Sequence, residues 1–206
     1  MLYKNGGIMA GAETIKYLER EELEKLFKTI KKLEARYWLR DLLLFRIGYW
    51  TGCRISELLE MTVSVFNSGN NQIYCNRKKG GISNTLILDD TTAKLLKKYI
   101  KENDLEVDDF IFRSQVGGAM DRRTVDKLVK KYFVAAKIKD TTKHHFHTMR
   151  HTRAVLMLED GFDISKVKYV LGHKSITNTA IYAQLTAAAE KDMMNQMLKN
   201  ARKQGF

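Results

Sequence analysis

Apolar residues recur at helical spacing along most of the chain, and this pattern predicts a mainly helical fold. Residues three and four apart lie on the same face of a helix, so the spacing marks the side that packs inward. The predicted helices cover residues 19–33, 37–49, 54–61, 90–101, 121–136, 148–159, 164–171, 175–184 and 186–203.

The apolar stripes of these helices supply the predicted core. Segment 37–49 is apolar on nearly all sides, which is typical of a helix at the centre of a core, and Gly52 is expected to end it. The other helices contribute one face each. The predicted core positions are Leu23, Leu26, Phe27, Ile30 and Leu33, then Leu95, Leu96 and Ile100, then Val125, Leu128, Val129 and Phe133.

Residues 67–88 interrupt the helical period. Asn67–Asn71 is a cluster of turn-forming residues, and short apolar runs at 73–76 and 85–88 flank the loop Lys78–Gly81. Two such runs around a glycine-containing loop predict an antiparallel hairpin. The expected fold class is therefore mainly α with a small antiparallel β-sheet (α+β). One domain at 13–185 is expected between a glycine-rich leader at 1–12 and a helix-forming tail at 186–206.

Composition narrows the class of partner. The chain has 206 residues, and 36 Lys and Arg against 24 Asp and Glu give a formal net charge of +12. Such an excess favours a polyanionic partner, either nucleic acid or an anionic membrane surface. The most apolar stretch, 38–50, is too short to span a bilayer and contains charged residues, and no signal peptide is evident. Cys53 and Cys75 lack metal-ligand spacing and are typical of a reducing cytosol, so we expect a cytoplasmic protein.

Three short strings carry candidate chemistry. They are Gly-Cys-Arg-Ile-Ser-Glu-Leu at 52–58, His-Thr-Met-Arg-His at 147–151, and Leu-Gly-His at 171–173, the last followed nine residues later by Tyr182. A guanidinium grips two phosphate oxygens at once, so Arg54 and Arg150 could neutralise a phosphorane. Tyr182 is a candidate nucleophile, with His147 as the base that removes its proton. A lysine of the Lys78–Gly81 loop could protonate the leaving oxygen.

Each of these residues also has a structural interpretation. Tyr182 could belong to the core, and His173 could bind the last carbonyls of a helix. His147 and His151 are four residues apart, which is a zinc spacing, but Arg150 would place a cation beside the metal. We therefore predict no metal and no cofactor. Glu57, one turn after Arg54, could orient a guanidinium or an imidazole.

The order of the strings resembles the tyrosine recombinase (phage integrase) family over residues 13–190. Residues 52–58 are similar to its G-x-R-x-S-E-L pattern, and residues 147–152 to its H-x-L-R-H-T box, with Met149 in place of leucine. The family lysine lies in a turn between two strands; counting back from Leu88, Lys79 aligns with it and Lys78 is the alternative. The resemblance implies that Arg54, Lys79, His147, Arg150, His173 and Tyr182 are catalytic, that Glu57 and His151 support them, and that Arg54, Lys78, Lys79 and Arg150 bind DNA.

The resemblance also implies the family's catalytic-domain fold and cleavage of duplex DNA through a 3′-phosphotyrosine link, without metal or ATP. It implies a homo-oligomer, a tetramer, on DNA, with the 186–206 tail either exchanged between protomers or packed on its own domain. Family members carry a preceding N-terminal DNA-binding domain, so the chain is either a fragment that has lost it or a natural minimal protein. The location would be the nucleoid of a bacterial or archaeal cell or of a viral host. Two alternatives stay open: a type IB topoisomerase-like enzyme that relaxes DNA, and a DNA-binding regulator without cleavage activity.

Overall fold

The structure is a computed structural model that describes residues 15–185 and Met194. The expectations for the leader at 1–12 and for the tail lie outside these residues, apart from Met194, which is helical and exposed. The helices are α1 Arg20–Leu33, α2 Trp38–Thr51, α3 Ile55–Leu59, α4 Asp90–Glu102, α5 Arg122–Ala135, α6 His147–Glu159 and α7 Ile164–Leu171, with helical residues 177–185 as α8 and 3-10 turns at Val63–Val65 and Thr141–Lys143.

Helix α2 is the centre of the core, as its apolar sequence predicts. It is buried along nearly its whole length and packs against α1, α4 and α6. Even two charged residues are buried here, because Arg40 donates two hydrogen bonds to Asp41, at 2.8 and 3.0 Å, and the Tyr132 hydroxyl donates a third at 2.7 Å. The helix ends at Gly52 in a left-handed conformation, as predicted, and this turn leads directly to Arg54.

A three-stranded antiparallel sheet confirms the predicted hairpin and adds a strand to it. Strand β2, Gln72–Cys75, pairs with β3, Asn84–Ile87, so each strand begins one residue earlier than predicted. The strand that the sequence pattern missed is β1, Phe66–Asn67, which pairs with Gln72 and Ile73 in the order β1-β2-β3. Two residues are too few to show an alternating pattern, so only their partner strand reveals them.

Most helix boundaries agree with the predictions to within two residues. One core assignment was wrong: Leu33 was expected in the core but is 47% exposed, because it is the last residue of α1 and the chain turns away at Glu34. Helix α1 begins at Arg20 because Glu19 caps it, with its backbone N–H donating to Glu22 at 3.0 Å.

The elements around the end of α2 bring the candidate residues together. Arg54 precedes α3, the β2–β3 loop carries Lys79, α6 begins at His147, and His173 follows α7. No helix among the described residues is long and apolar enough to cross a membrane.

Candidate active site

Arg54 is held by the carboxylate of Glu57. Its backbone N–H donates to Glu57 at 2.9 Å and its Nη1 donates to the same carboxylate at 2.8 Å. The Glu57 side chain is fully buried and also accepts the backbone N–H of Lys78 at 3.0 Å. Burial alone would raise the pKa of Glu57, but these N–H groups and the Arg54 and Arg77 guanidiniums outweigh it and hold the pKa below its ordinary value. Glu57 is therefore an anion that orients Arg54.

Arg150 is a buried cation with an unpaired donor. The residue is 2% exposed, and its Nη1 donates to the carbonyl of Gly52. Its Nη2 finds no hydrogen-bond partner within the part of the chain that the structure describes. Burial, with the Arg54 charge nearby, lowers the pKa of Arg150 to about 10, so it remains a cation at neutral pH. A buried cationic donor without an acceptor is costly, and an anion at this point would offset that cost.

Tyr182 belongs to the core and to the site at once. Its ring is 2% exposed among apolar residues that include Val155, Val167 and Leu171, and its hydroxyl lies 2.8 Å from Nδ1 of His151. Burial raises the pKa of Tyr182 to about 12, although the Arg150 and Arg54 charges act to lower it. At neutral pH the phenol is therefore a neutral donor beside an imidazole.

The structure places His151, rather than His147, against the candidate nucleophile. The His147 ring stands edge-on to the His151 ring, with centroids 4.5 Å apart and planes at 90°. Burial and the neighbouring His147 lower the pKa of His151 to about 3, so its imidazole is neutral at neutral pH. Partial burial of the ring and the Arg150 charge also lower the pKa of His147. The His147 residue as a whole is nevertheless exposed at the surface. The imidazole within hydrogen-bond distance of the Tyr182 hydroxyl is therefore that of His151, whereas the sequence predicts His147 as the base.

His173 uses its backbone, not its ring, to close α7. Its N–H donates to the Lys168 carbonyl at 3.1 Å, while Nδ1 of the ring pairs with the Thr179 hydroxyl at 2.9 Å. Burial and the Arg150 and Arg54 charges lower the pKa of His173 to about 4. His173 thus binds a helix-end carbonyl, as its structural interpretation predicts, through its backbone N–H, while the contact with the Thr179 hydroxyl fixes the ring.

A cationic cleft lies beside Arg54 and His173. It has a volume of about 430 Å³, and the residues that line it are Arg54, Lys79, Gly80, Gly81, Gly172, His173, Lys174, Ser175 and Asn178. No carboxylate lies among these nine residues, so the cleft suits an anion. The two lysine candidates differ in placement: Lys79 lines the cleft, whereas Lys78 pairs its ammonium with Glu60.

One residue in contact with the site, Arg77, is not predicted from its sequence context. Arg77 is buried against Glu57, with Nη1 3.5 Å from the carboxylate. Next to Lys78 and Lys79 it looks like one more cation of an exposed loop. The period of two in β2 continues past the end of the strand, because Ile73, Cys75 and Arg77 are buried while Tyr74 and Asn76 are exposed.

Within the described residues, the fold brings no third metal ligand to His147 and His151. His147 and His151 are close, but the described residues contain no group of three or more His, Cys, Asp or Glu side chains that could hold a metal ion. Zinc sites in proteins use at least three such ligands.

Comparison with known proteins adds sequence and structural relatives. The model of the phage integrase family matches residues 16–189. The tyrosine recombinase XerD of Oceanobacillus iheyensis is 32% identical over 184 residues, which cover 85% of this chain and 60% of that protein. The probable integrase/recombinase protein MJ0367 of Methanocaldococcus jannaschii is 30% identical over 178 residues, covering 84% of this chain and 54% of that protein. The chain thus spans a little more than half the length of these two relatives.

Solved structures share the fold. The crystal structure of the XerH site-specific recombinase bound to a palindromic difH substrate, a post-cleavage complex, superposes with a TM-score of 0.77 at 27% identity, covering 90% of this chain and 54% of that one. The crystal structure of XerA recombinase gives a TM-score of 0.73 at 25% identity, covering 88% of this chain and 64% of that one. The expected mainly helical fold with its small sheet is confirmed.

Proposed function

The chain belongs to the phage integrase family, and we propose that it cuts and rejoins duplex DNA through a covalent bond between Tyr182 and a 3′ phosphate. One observation carries the proposal: Nη2 of the buried Arg150 has no hydrogen-bond partner among the described residues, and the Arg150 charge acts on the hydroxyl of the buried Tyr182. An oxygen of a phosphodiester would accept a hydrogen bond from this Nη2 and would lie close to the charges of Arg150 and Arg54.

Arg54 and Arg150 bind the phosphate. Arg54, held by Glu57, and Arg150, held by the Gly52 carbonyl, present fixed donors to the non-bridging oxygens. His173, fixed by Thr179, lines the same cleft as Arg54. Fixed donors stabilise the additional negative charge of the phosphorane, and this is the main catalytic demand in phosphoryl transfer.

Attack requires the phenol to lose its proton. The Tyr182 hydroxyl lies 2.8 Å from Nδ1 of the neutral His151. With the ring proton on Nε2, Nδ1 takes the phenolic proton as the phenolic oxygen bonds to phosphorus. The pKa of about 12 makes the free phenolate rare at neutral pH, which is why removal of the proton in the transition state matters. His147, edge-on to His151, braces that ring and stands at the surface where DNA would lie.

Departure of the leaving group completes the cut. As the new bond forms, the bond between phosphorus and the 5′ oxygen breaks, and that oxygen takes a proton from the Lys79 ammonium at the cleft. The products are a 3′-phosphotyrosine and a free 5′ hydroxyl. The reverse attack by a 5′ hydroxyl regenerates Tyr182 and rejoins the strand, so no outside energy source is needed.

The partner that fits is duplex DNA. The net charge of +12 and the cationic cleft favour contacts with the backbone, which would make binding sensitive to salt. Strand exchange between two duplexes would use a homo-tetramer on the DNA of a cell or virus-infected host, with the 186–206 tail as the link between protomers. XerD, XerA and XerH, which the chain resembles, are named as recombinases.

A suicide substrate tests the proposal. DNA nicked near the cleavage site loses the short strand after cutting, so the protein stays covalently attached and migrates as an adduct. We expect an adduct with the parent and with Tyr74→Phe, a control tyrosine on the exposed face of the sheet, and none with Tyr182→Phe. An adduct that survives Tyr182→Phe contradicts the assignment. Relaxation of supercoiled plasmid without recombinant products would instead favour the topoisomerase alternative.

A further inference from the structure

Arg77 has five side-chain N–H groups, and each has an acceptor. The guanidinium ties together parts of the chain that are distant in sequence, since the Val170 carbonyl is 93 residues away and the Thr51 carbonyl 26. The acceptors are the carbonyl of Val170 at 2.6 Å, the carbonyl of Thr51 at 2.9 Å, Sγ of Cys53 at 3.1 Å, Oδ1 of Asn84 at 3.2 and 3.3 Å, and Glu57 at 3.5 Å.

These contacts exclude Arg77 from direct binding of substrate. Its side chain is 0% exposed, and each donor is already engaged. A ligand in the cleft would therefore meet other side chains, and any effect of Arg77 on the reaction must pass through them. Its charge still helps to stabilise the carboxylate of Glu57, which orients Arg54.

The loop that carries Lys79 is fastened at both ends around Arg77. At the entry, the Lys78 N–H donates to Glu57 at 3.0 Å; at the exit, the Ile82 N–H donates to the carbonyl of Gly172 at 3.0 Å. Between these points Lys79 adopts a left-handed backbone with φ 55°, which is uncommon for a side chain of its size. The surrounding structure must hold such a conformation in place.

Two glycines pack directly on the Arg77 side chain. A Cβ at Gly81 would lie 2.9 Å from Cβ of Arg77, and one at Gly172 would lie 2.7 Å from its Cγ. The carbonyl of Val170 is at the C-terminal end of α7, where a cation is favourable. The Arg77 side chain is thus the shared surface on which the loop with Lys79 and the segment with His173 rest.

Resting on the proposed function, we infer that Arg77 is a positioning residue for the general acid. It holds the 78–82 loop so that the Lys79 ammonium stands across the cleft from Arg54 and His173, where the leaving 5′ oxygen emerges. Replacement of Arg77 would then impair protonation of the leaving group more than binding of DNA.

The test replaces the leaving oxygen by sulfur. In a suicide substrate with a 5′-bridging phosphorothiolate, the bond between phosphorus and sulfur breaks and the group departs as a thiolate. It needs no proton, because a thiol has a pKa of about 8.5. The variants are Arg77→Lys, which keeps the charge but not the five donors, Arg77→Met and Lys79→Ala. Arg40→Met is the matched control, since Arg40 is also buried and paired but stands at the opposite end of α2.

We expect Arg77→Lys to slow adduct formation on ordinary DNA by about 100-fold, the usual effect of a misplaced catalytic group. On the sulfur substrate, both Arg77→Lys and Lys79→Ala should regain nearly the parent rate. Arg77→Met should show the same pattern in its folded fraction, measured by circular dichroism. The dissociation constant for uncleaved DNA should change less than threefold. Arg40→Met should lower the melting temperature without slowing the cut per folded molecule.

Two results would overturn the inference alone, and a third would overturn it together with the proposed function. If Lys79→Ala is rescued by sulfur while both Arg77 variants stay slow on both substrates, Arg77 does not act through the acid, although the proposed function stands. If the Arg77 variants keep the parent rate on ordinary DNA, Arg77 is only structural. A parent protein that forms no adduct with either substrate would contradict the proposed function itself, and this inference with it.

Discussion

Replacement of Gly172 by alanine should damage both stability and cleavage, whereas the same change at Gly161 should damage stability alone. Both glycines follow a helix and both have positive φ, 65° at Gly172 and 79° at Gly161. They differ in surroundings. A Cβ at Gly172 would lie 2.7 Å from Cγ of Arg77 and 2.7 Å from the carbonyl oxygen of Ile82, whereas a Cβ at Gly161 would meet nothing within 4 Å.

The magnitude has two parts. A left-handed backbone costs a residue with a Cβ about 1–2 kcal/mol relative to glycine. Gly161→Ala should pay that cost alone. Gly172→Ala should lose about 1–3 kcal/mol more, the usual cost of overpacking, because the Ile82 carbonyl is backbone and cannot rotate away. Relief of that clash would push the 78–82 loop from the end of α7, and Lys79 would move with it.

Urea unfolding and suicide-substrate cleavage measure the two effects side by side. We expect Gly172→Ala to be less stable than Gly161→Ala by about 1–3 kcal/mol, and its folded fraction to cut DNA about 100-fold more slowly, as for a catalytic group displaced by about 1 Å. Gly161→Ala should cut at the parent rate. Equal stability losses, or equal cleavage rates, would refute the claim that the loop and the end of α7 are one packed unit.

Three further predictions concern pH, the buried network and metal. His151 and His173 have pKa values lowered from 6.5 to about 3 and 4 in the folded protein. As the pH falls, the unfolded chain therefore takes up protons on these residues before the folded protein does. The stability that they contribute is complete above pH 6.5 and falls by about 2–3 kcal/mol between pH 7.5 and 5.5. Urea unfolding should show this drop, and the double glutamine variant should abolish it, leaving only the share that the lowered pKa of His147 contributes. Asp41→Asn removes the charge that compensates buried Arg40 and should lower the free energy of unfolding by about 3–5 kcal/mol. Tyr132→Phe loses one hydrogen bond to a charged group and should lower it by about 1–3 kcal/mol. Equal losses of the two variants in urea unfolding would argue against the buried ion pair. Adduct formation should be unchanged by EDTA, and loss of activity that zinc restores would revive the two-histidine metal site.

The sequence predicted the parts of the fold that local pattern controls. Helix α2 was placed by its apolar run and its end by Gly52, since both depend on residues within one or two turns. The hairpin followed from the turn chemistry of its loop. Strand β1 could not be found in this way, because its two residues become a strand only by pairing with β2.

The site was predicted as a set of residues but not as a set of contacts. Spacing shows that His147 and His151 share a face of α6, yet it cannot say which imidazole meets Tyr182, 31 residues from His151. Packing of the α8 segment decides that question in favour of His151. Arg77 was missed for a similar reason, because its acceptors come from four separate elements and a basic residue beside two lysines gives no sign of burial.

The most direct test of the central claim is identification of the residue that carries the DNA. An adduct trapped on nicked DNA can be digested with nuclease and trypsin, and the peptide that retains a nucleotide can be sequenced by mass spectrometry. Trypsin releases residues 175–191 as one peptide, in which Tyr182 is the single tyrosine. The account predicts the 3′ nucleotide on Tyr182. A nucleotide on another residue, or DNA cut without any attached peptide, would contradict it.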